Sequence, residues 1–146
     1  MTALALATGC ILLAIAALHA YWGVGGVWPG TDERSCVRTV GGFTGSTRMP
    51  GPAPCFAVAT ALAVAAIIAL ALGGIVTLPV PAALLHLAGL GAAVLFIGRG
   101  IAGFTPAWRR VTPEQPFATF DVRYYSPLCL AIGAAFVTLI LQGTYG

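Results

Sequence analysis

Residues 55–78 read CFAVATALAVAAIIALALGGIVTL, twenty-four positions without a charged side chain. At about 1.5 Å of helical rise per residue, such a run crosses a hydrocarbon layer of about 30 Å with length to spare. Three further runs share its character. Residues 2–24 and 127–145 are uncharged, and residues 82–103 carry a single Arg99 near their end. Only 8% of the chain is charged and 59% is hydrophobic, whereas a soluble domain carries about a quarter of its residues as Asp, Glu, Lys and Arg. So few charges cannot cover a water-facing surface on 146 residues. In lipid every backbone polar group must find a partner within the protein, and the alternation of a barrel strand is absent. The expected fold is an all-α integral membrane protein, a single four-transmembrane-helix bundle over residues 1–146.

The first run resembles a signal peptide in position but lacks a basic leading region and is long for one, so it is read as a retained helix. Spans two and three are joined by Pro79–Pro81 (PVP), which predicts a tight hairpin because proline cannot continue a helix. The other two connections are long, Gly25–Pro54 and Phe104–Ser126, and alternating spans put both on one face. That face holds Asp32, Glu33, Arg34, Arg38, Arg48, Arg109, Arg110, Glu114, Asp121 and Arg123. The opposite face has no charged side chain. Six loop arginines against none place the long loops in the cytoplasm by the positive-inside rule. A disulfide between Cys36 and Cys55, which flank the first loop, would argue for the other orientation because it needs an oxidising compartment.

Chemistry concentrates at one membrane level. His19 lies in the last turns of span one, in LHAYWGVGGVWPG. Arg99 lies about one turn before span three ends, and the stretch FDVRYYSPLCL (residues 120–130) sets Asp121, Arg123, Tyr124 and Tyr125 just before span four. An ionisable residue inside a membrane is by default a functional candidate. The plain readings stand beside this one. Tryptophan and tyrosine favour the headgroup level on physical grounds alone, which accounts for Tyr21, Trp22, Trp28, Trp108 and Tyr125. Arg99 could snorkel to the interface, Asp121 and Arg123 could form an ordinary loop ion pair, and His19 could simply bond a neighbouring helix.

Within the stretch, Pro127 is expected to start span four, with Ser126 as its N-cap. The residue before proline favours extended backbone, so DVRYY should alternate its side chains. Asp121, Arg123 and Tyr125 would then face the bundle, where His19, Arg99 and Asp121 would converge, and Tyr124 would lie at the headgroups. His86 sits near the uncharged face, about 20 Å from His19, and cannot share a metal with it. With no CxxC, no HExxH and no paired carboxylates in a span, neither a metal nor another cofactor is expected. Cys10 and Cys129 should be buried packing residues. The small-residue patterns GLGAA, GRGIAG and AIGAA serve close helix packing.

HAYWGVGGVWPG, RGIAGF and FATFDVRYYSPLCL resemble a bacterial family of small four-span membrane proteins known only as a domain of unknown function. The resemblance covers nearly the whole chain and rests on His19, Trp22, Trp28, Arg99, Phe104, Asp121, Tyr125, Ser126, Pro127 and Cys129. It implies the four-helix fold and a home in the bacterial inner membrane, and it carries no activity.

Two functional classes compete. One is a small intramembrane enzyme doing cofactor-independent acid–base chemistry (isomerisation, cyclisation or epoxide opening) on a lipophilic substrate. His19, Arg99, Asp121 and Tyr125 would be catalytic, and Trp22, Trp28, Phe104, Arg123 and Tyr124 would contact the substrate. General acid–base work needs two groups of separated pKa at one reacting atom. The other class is a transporter or accessory subunit whose arginine-rich face binds anionic lipid or a partner protein. Thiol–quinone redox chemistry is a poorer third reading without a CxxC. The expected partners are membrane lipid and a lipophilic small molecule, with a second copy of the chain as a further candidate and no role for nucleic acid.

Overall fold

A computed structural model describes residues 1–143, all helical or irregular, with no strand among them. The order is α1 (Thr2–Gly23), α2 (Glu33–Val40), α3 (Pro52–Leu72), α4 (Ala82–Ala102), α5 (Pro106–Val111), α6 (Phe117–Phe120), a π-helical segment (Asp121–Tyr125) and α7 (Ser126–Gly143). Four helices are long and apolar enough to cross a membrane: α1, α3, α4 and the continuous stretch Phe117–Gln142. Their outer surface is apolar as well. Leu87, Val94 and Leu95 on α4 are each 64% exposed, a surface that suits acyl chains and not water. The chain is a multi-pass membrane protein by this measure.

The bundle is built from two antiparallel helix pairs. In the first, Gly9 of α1 lies on Leu70 of α3, Gly73 just past α3 lies on Ala5, and Gly23 lies on Phe56. In the second, Gly100 of α4 lies on Leu130 and Gly133 of α7 lies on Ile97. Lipid tails are as apolar as leucine, so burial gives these helices little drive to associate, and close packing at small residues supplies it instead. The pairs meet around Leu12, Ala66, Phe96, Phe136 and Leu139. Phe96 and Phe136 stack there, with ring centroids 6.2 Å apart.

The second span begins and ends before its expected bounds of 55–78, because α3 starts at Pro52 and stops at Leu72. Gly74 adopts φ +71°; its N–H bonds the Ala71 carbonyl, and that of Ile75 bonds the Leu70 carbonyl. This is the Schellman arrangement, in which a left-handed glycine closes off the last turn. The hairpin to α4 therefore runs from Gly73 to Pro81 and is longer than the tight PVP turn expected. Hydropathy was blind to the stop because Ile75, Val76 and Leu78 remain apolar beyond it. The same motif ends α1, where Gly25 takes φ +94° and Gly26 bonds back to Tyr21.

The entry to span four differs most from expectation. DVRYY is not an extended strap but part of one helix running from Phe117, and Ser126 is itself helical (φ −67°, ψ −44°) and not an N-cap. A proline within a helix lacks an N–H and clashes with the carbonyl four residues back. A π-helical segment immediately before Pro127 widens the turn at that point, so the chain tolerates the proline without leaving the helix. The expected end of span four at residue 145 lies outside the described residues.

Both long loops fold over the same end of the bundle and are bonded together. The Thr44 N–H donates to the Val111 carbonyl and that of Glu114 to Gly42. The Glu114 carboxylate pairs with Arg38 at 3.4 Å. In the first loop Asp32 and Ser35 form a reciprocal cap on α2, with Asp32 Oδ1 accepting from the Ser35 N–H at 2.7 Å. The Ser35 N–H, and then its hydroxyl, hold the Asp32 carboxyl below its ordinary range.

Candidate functional site

The expected single site resolves into two separate groupings at the loop end. The first is built on α4, α5 and the π-helical segment. Asp121 is 0% exposed, and both of its oxygens are engaged. Oδ1 accepts from Arg99 at 2.7 Å and from the Ser126 hydroxyl at 3.0 Å; Oδ2 accepts from the Trp108 indole N–H at 2.8 Å. Arg99 also donates to Ser126 Oγ at 3.2 Å, and its guanidinium carbon lies 4.7 Å from the centre of the Trp108 ring.

Local structure accounts for each member. Residues five apart stand about 140° apart around an α-helix, but i→i+5 bonding brings them onto one face. The π-helical segment thus lets Ser126 reach Asp121. Thr105 caps α5, with Pro106 in its first turn, and α5 presents Trp108. Gly103 leaves the space, since a methyl group there would overlap the Ser126 hydroxyl and come within 3.0 Å of Asp121. A charge buried this deeply survives only when paired and fully hydrogen-bonded. The arrangement is a closed knot fastening the second loop to α4.

The second grouping lies in the other half of the bundle. A cleft of about 370 Å³ opens between the end of α1, α2, the approach to α3 and the first turns of α3. Val37, Val40, Phe43, Met49 and Val58 form its apolar walls, and His19, Arg48 and Ser46 its polar ones. His19 Nδ1 lies 2.9 Å from the Ile15 carbonyl. A carbonyl only accepts, so Nδ1 is the donor, and in the neutral ring Nε2 is the basic nitrogen. Trp22 fixes the ring from its edge, centroids 4.9 Å apart, and is itself held by its indole N–H on the Trp28 carbonyl at 2.7 Å. Arg48 is exposed and forms no ion pair among the described residues.

Arg99 and Asp121 are therefore brought together as expected, but His19 is not with them. Its described contacts are Ile15 and Trp22, and it sits on the α1–α3 side. Tyr125 does not face Arg99 either: its hydroxyl donates to the Thr39 carbonyl at 3.2 Å, and its ring packs on Phe117. Arg123 and Tyr124 are exposed, with Tyr124 against Phe120. Trp28 and Phe104 are largely exposed rings.

Cys36 and Cys55 are free thiols buried around Trp22, not a disulfide. Each points its sulfur at a backbone carbonyl, Trp28 for Cys36 and Pro50 for Cys55. Burial pushes the Cys36 thiol up, which keeps it protonated. Cys10, expected inside, is exposed on the outer face of α1, and Cys129 is half-buried. No cluster of His, Cys, Asp or Glu able to hold a metal occurs among the described residues.

Sequence reasoning missed three residues. Interface enrichment alone accounts for Trp108 in sequence, although the Thr-Pro start of α5 marks a helix that orients it. The position of Ser126 before Pro127 suggests a cap and not its bonds to Asp121 and Arg99. Arg48 is a loop charge like the others, and nothing in its neighbours Thr47 and Met49 distinguishes it. No curated protein and no solved structure matches the chain. A family model does match, over residues 12–136, a stretch that includes both groupings. The chain belongs to that family, the proteins of unknown function DUF3995.

Proposed function

We propose that the protein is a small intramembrane enzyme performing cofactor-independent acid–base chemistry on a lipophilic substrate, and that its reaction chamber is the His19 cleft, not the Asp121 knot. The observation carrying this reading is the state of His19, a ring fixed by two contacts with its basic nitrogen free of protein partners on the wall of a mostly apolar cleft. Asp121 has neither exposure nor a spare oxygen, so it is assigned a structural role. In the cleft, Nε2 takes a proton from an activated carbon, such as one beside a carbonyl or conjugated alkene. The resulting imidazolium returns a proton to another carbon of the same system, and the double bond migrates. The substrate is isomerised, His19 is regenerated, and no co-reactant is consumed. Arg48 anchors the polar end of the substrate. We place the protein in the bacterial cytoplasmic membrane with its long loops on the cytoplasmic side, supported by the six loop arginines.

The test incubates purified protein in D₂O with total lipid extract from bacterial membranes and follows deuterium uptake by mass spectrometry. A lipid species should gain deuterium at carbon with the natural protein and not with His19→Gln. Exchange that persists in His19→Gln at the natural rate, or the absence of any exchanging species, would remove the acid–base reading.

A further inference from the structure

We infer that the cleft takes a single-chain amphiphile with an anionic, carboxylate-like head held by Arg48. This rests on the reading of the cleft as the reaction chamber and names the class of molecule that enters it. Three observations converge. The first is charge. Arg48 is the one cation in the lining, and no carboxylate lines the cleft beside it. The nearby Glu33 belongs to the adjoining depression, where its carboxylate accepts from the Met49 N–H at 3.0 Å. An exposed guanidinium with all its donors unused favours a carboxylate, which it can grip with two parallel bonds.

The second observation is position. Val58 is a wall of the cleft and is also 42% exposed on the outer surface. It lies six residues into α3, about 9 Å along the helix axis. The cleft therefore runs from a charged rim at the loops down to the apolar surface that faces lipid, which is the profile of an amphiphile lying along a helix. The third is size. At about 30 Å³ per water-sized group, 370 Å³ holds on the order of a dozen heavy atoms. That accommodates a head and one short chain.

Trp22 lines the same cleft and reports on its contents. The experiment places the protein in phosphatidylcholine nanodiscs and titrates 11-bromoundecanoate, whose bromine quenches tryptophan, against the neutral 11-bromoundecanol and a chain-brominated phosphatidylglycerol. The acid should quench at about a tenfold lower membrane concentration than the alcohol, as a charge-assisted bond warrants. Arg48→Gln should abolish that difference and leave the alcohol's titration unchanged, and Trp22→Phe should remove the saturable component. Equal quenching by acid and alcohol, or an advantage that survives Arg48→Gln, overturns the proposal. Arg48-dependent quenching by the phosphatidylglycerol also overturns it, in favour of a lipid headgroup. His19→Gln separates the two readings. Acid binding that persists in His19→Gln, with no proton exchange in either protein, removes the reaction alone, whereas His19-dependent exchange that is indifferent to Arg48→Gln removes the ligand class alone.

Discussion

The two polar groupings at the loop end treat their side chains in opposite ways. Between α4 and α7, Asp121 spends both oxygens on Arg99, Ser126 and Trp108 within a space that Gly103 keeps clear. Between α1 and α3, His19 and Arg48 stand on an open wall with bonding capacity to spare. Both groupings carry the residue types of an active site. The difference teaches that residue type marks where polar chemistry is tolerated, while unused capacity together with access marks where a ligand can act. A satisfied buried network rigidifies; an unsatisfied accessible one binds.

The sharpest way to break this comparison is to unpair the knot. Asp121→Ala leaves a largely buried guanidinium, an indole N–H and a hydroxyl without their shared acceptor, and removing one partner of a buried pair costs about 3–5 kcal/mol. Thermal unfolding in detergent should show the loss, and Arg99→Met combined with Asp121→Leu should recover at least half of it. A stable Asp121→Ala protein with no deuterium exchange would instead return Asp121 to catalysis. Next in size is Trp108→Phe, which removes one charge-assisted bond and should cost about 1.5–3 kcal/mol in the same assay. His19→Gln, which gives up one hydrogen bond to Ile15 and an edge contact with Trp22, should cost about 1 kcal/mol or less. An effect comparable to Trp108→Phe would make the cleft a second knot.

The smallest effect concerns the first loop and pH. The Asp32 carboxyl sits below its ordinary value of 3.8 because the charged form accepts the Ser35 bonds. A group depressed in the folded state lends stability that is present above its unfolded value and lost as pH falls through the folded one. The Ser35 amide resonance should therefore hold steady as pH falls to the ordinary carboxylate value near pH 4 and move only below it. A Ser35 amide that does not respond to acid would show that the cap is unformed and α2 is held by Cys36 and Val37 alone.

Much of the fold was legible because lipid leaves so few options. The apolar runs at 2–24 and 82–103 became α1 and α4 within a residue or so, and the charged side chains gathered at one end as the loop lengths required. The errors came where two local rules met. At Pro127 the rule that a pre-proline residue is extended was overridden by helix continuity, since a helix widened by a π-turn keeps its backbone bonds inside the protein near lipid. At Gly73 and Gly74 the left-handed turn stopped α3 while hydropathy still read span. Arg99 with Asp121 was foreseen as a meeting of residues at one depth, and the same argument wrongly added His19.

Depth is the coordinate the sequence determined by itself. Helical rise converts residue number into distance along the membrane normal, and the polar level at the loop end follows from counting. Rotation around the bundle was decided only by the tertiary structure. These helices are apolar on nearly every side, so no amphipathic stripe tells which face turns inward. Their orientation comes from glycines accepting particular neighbours, Gly9 under Leu70 and Gly133 under Ile97. Those contacts turned His19 toward the cleft under α2 and the first turns of α3, and Arg99 toward Asp121, on different sides of one bundle.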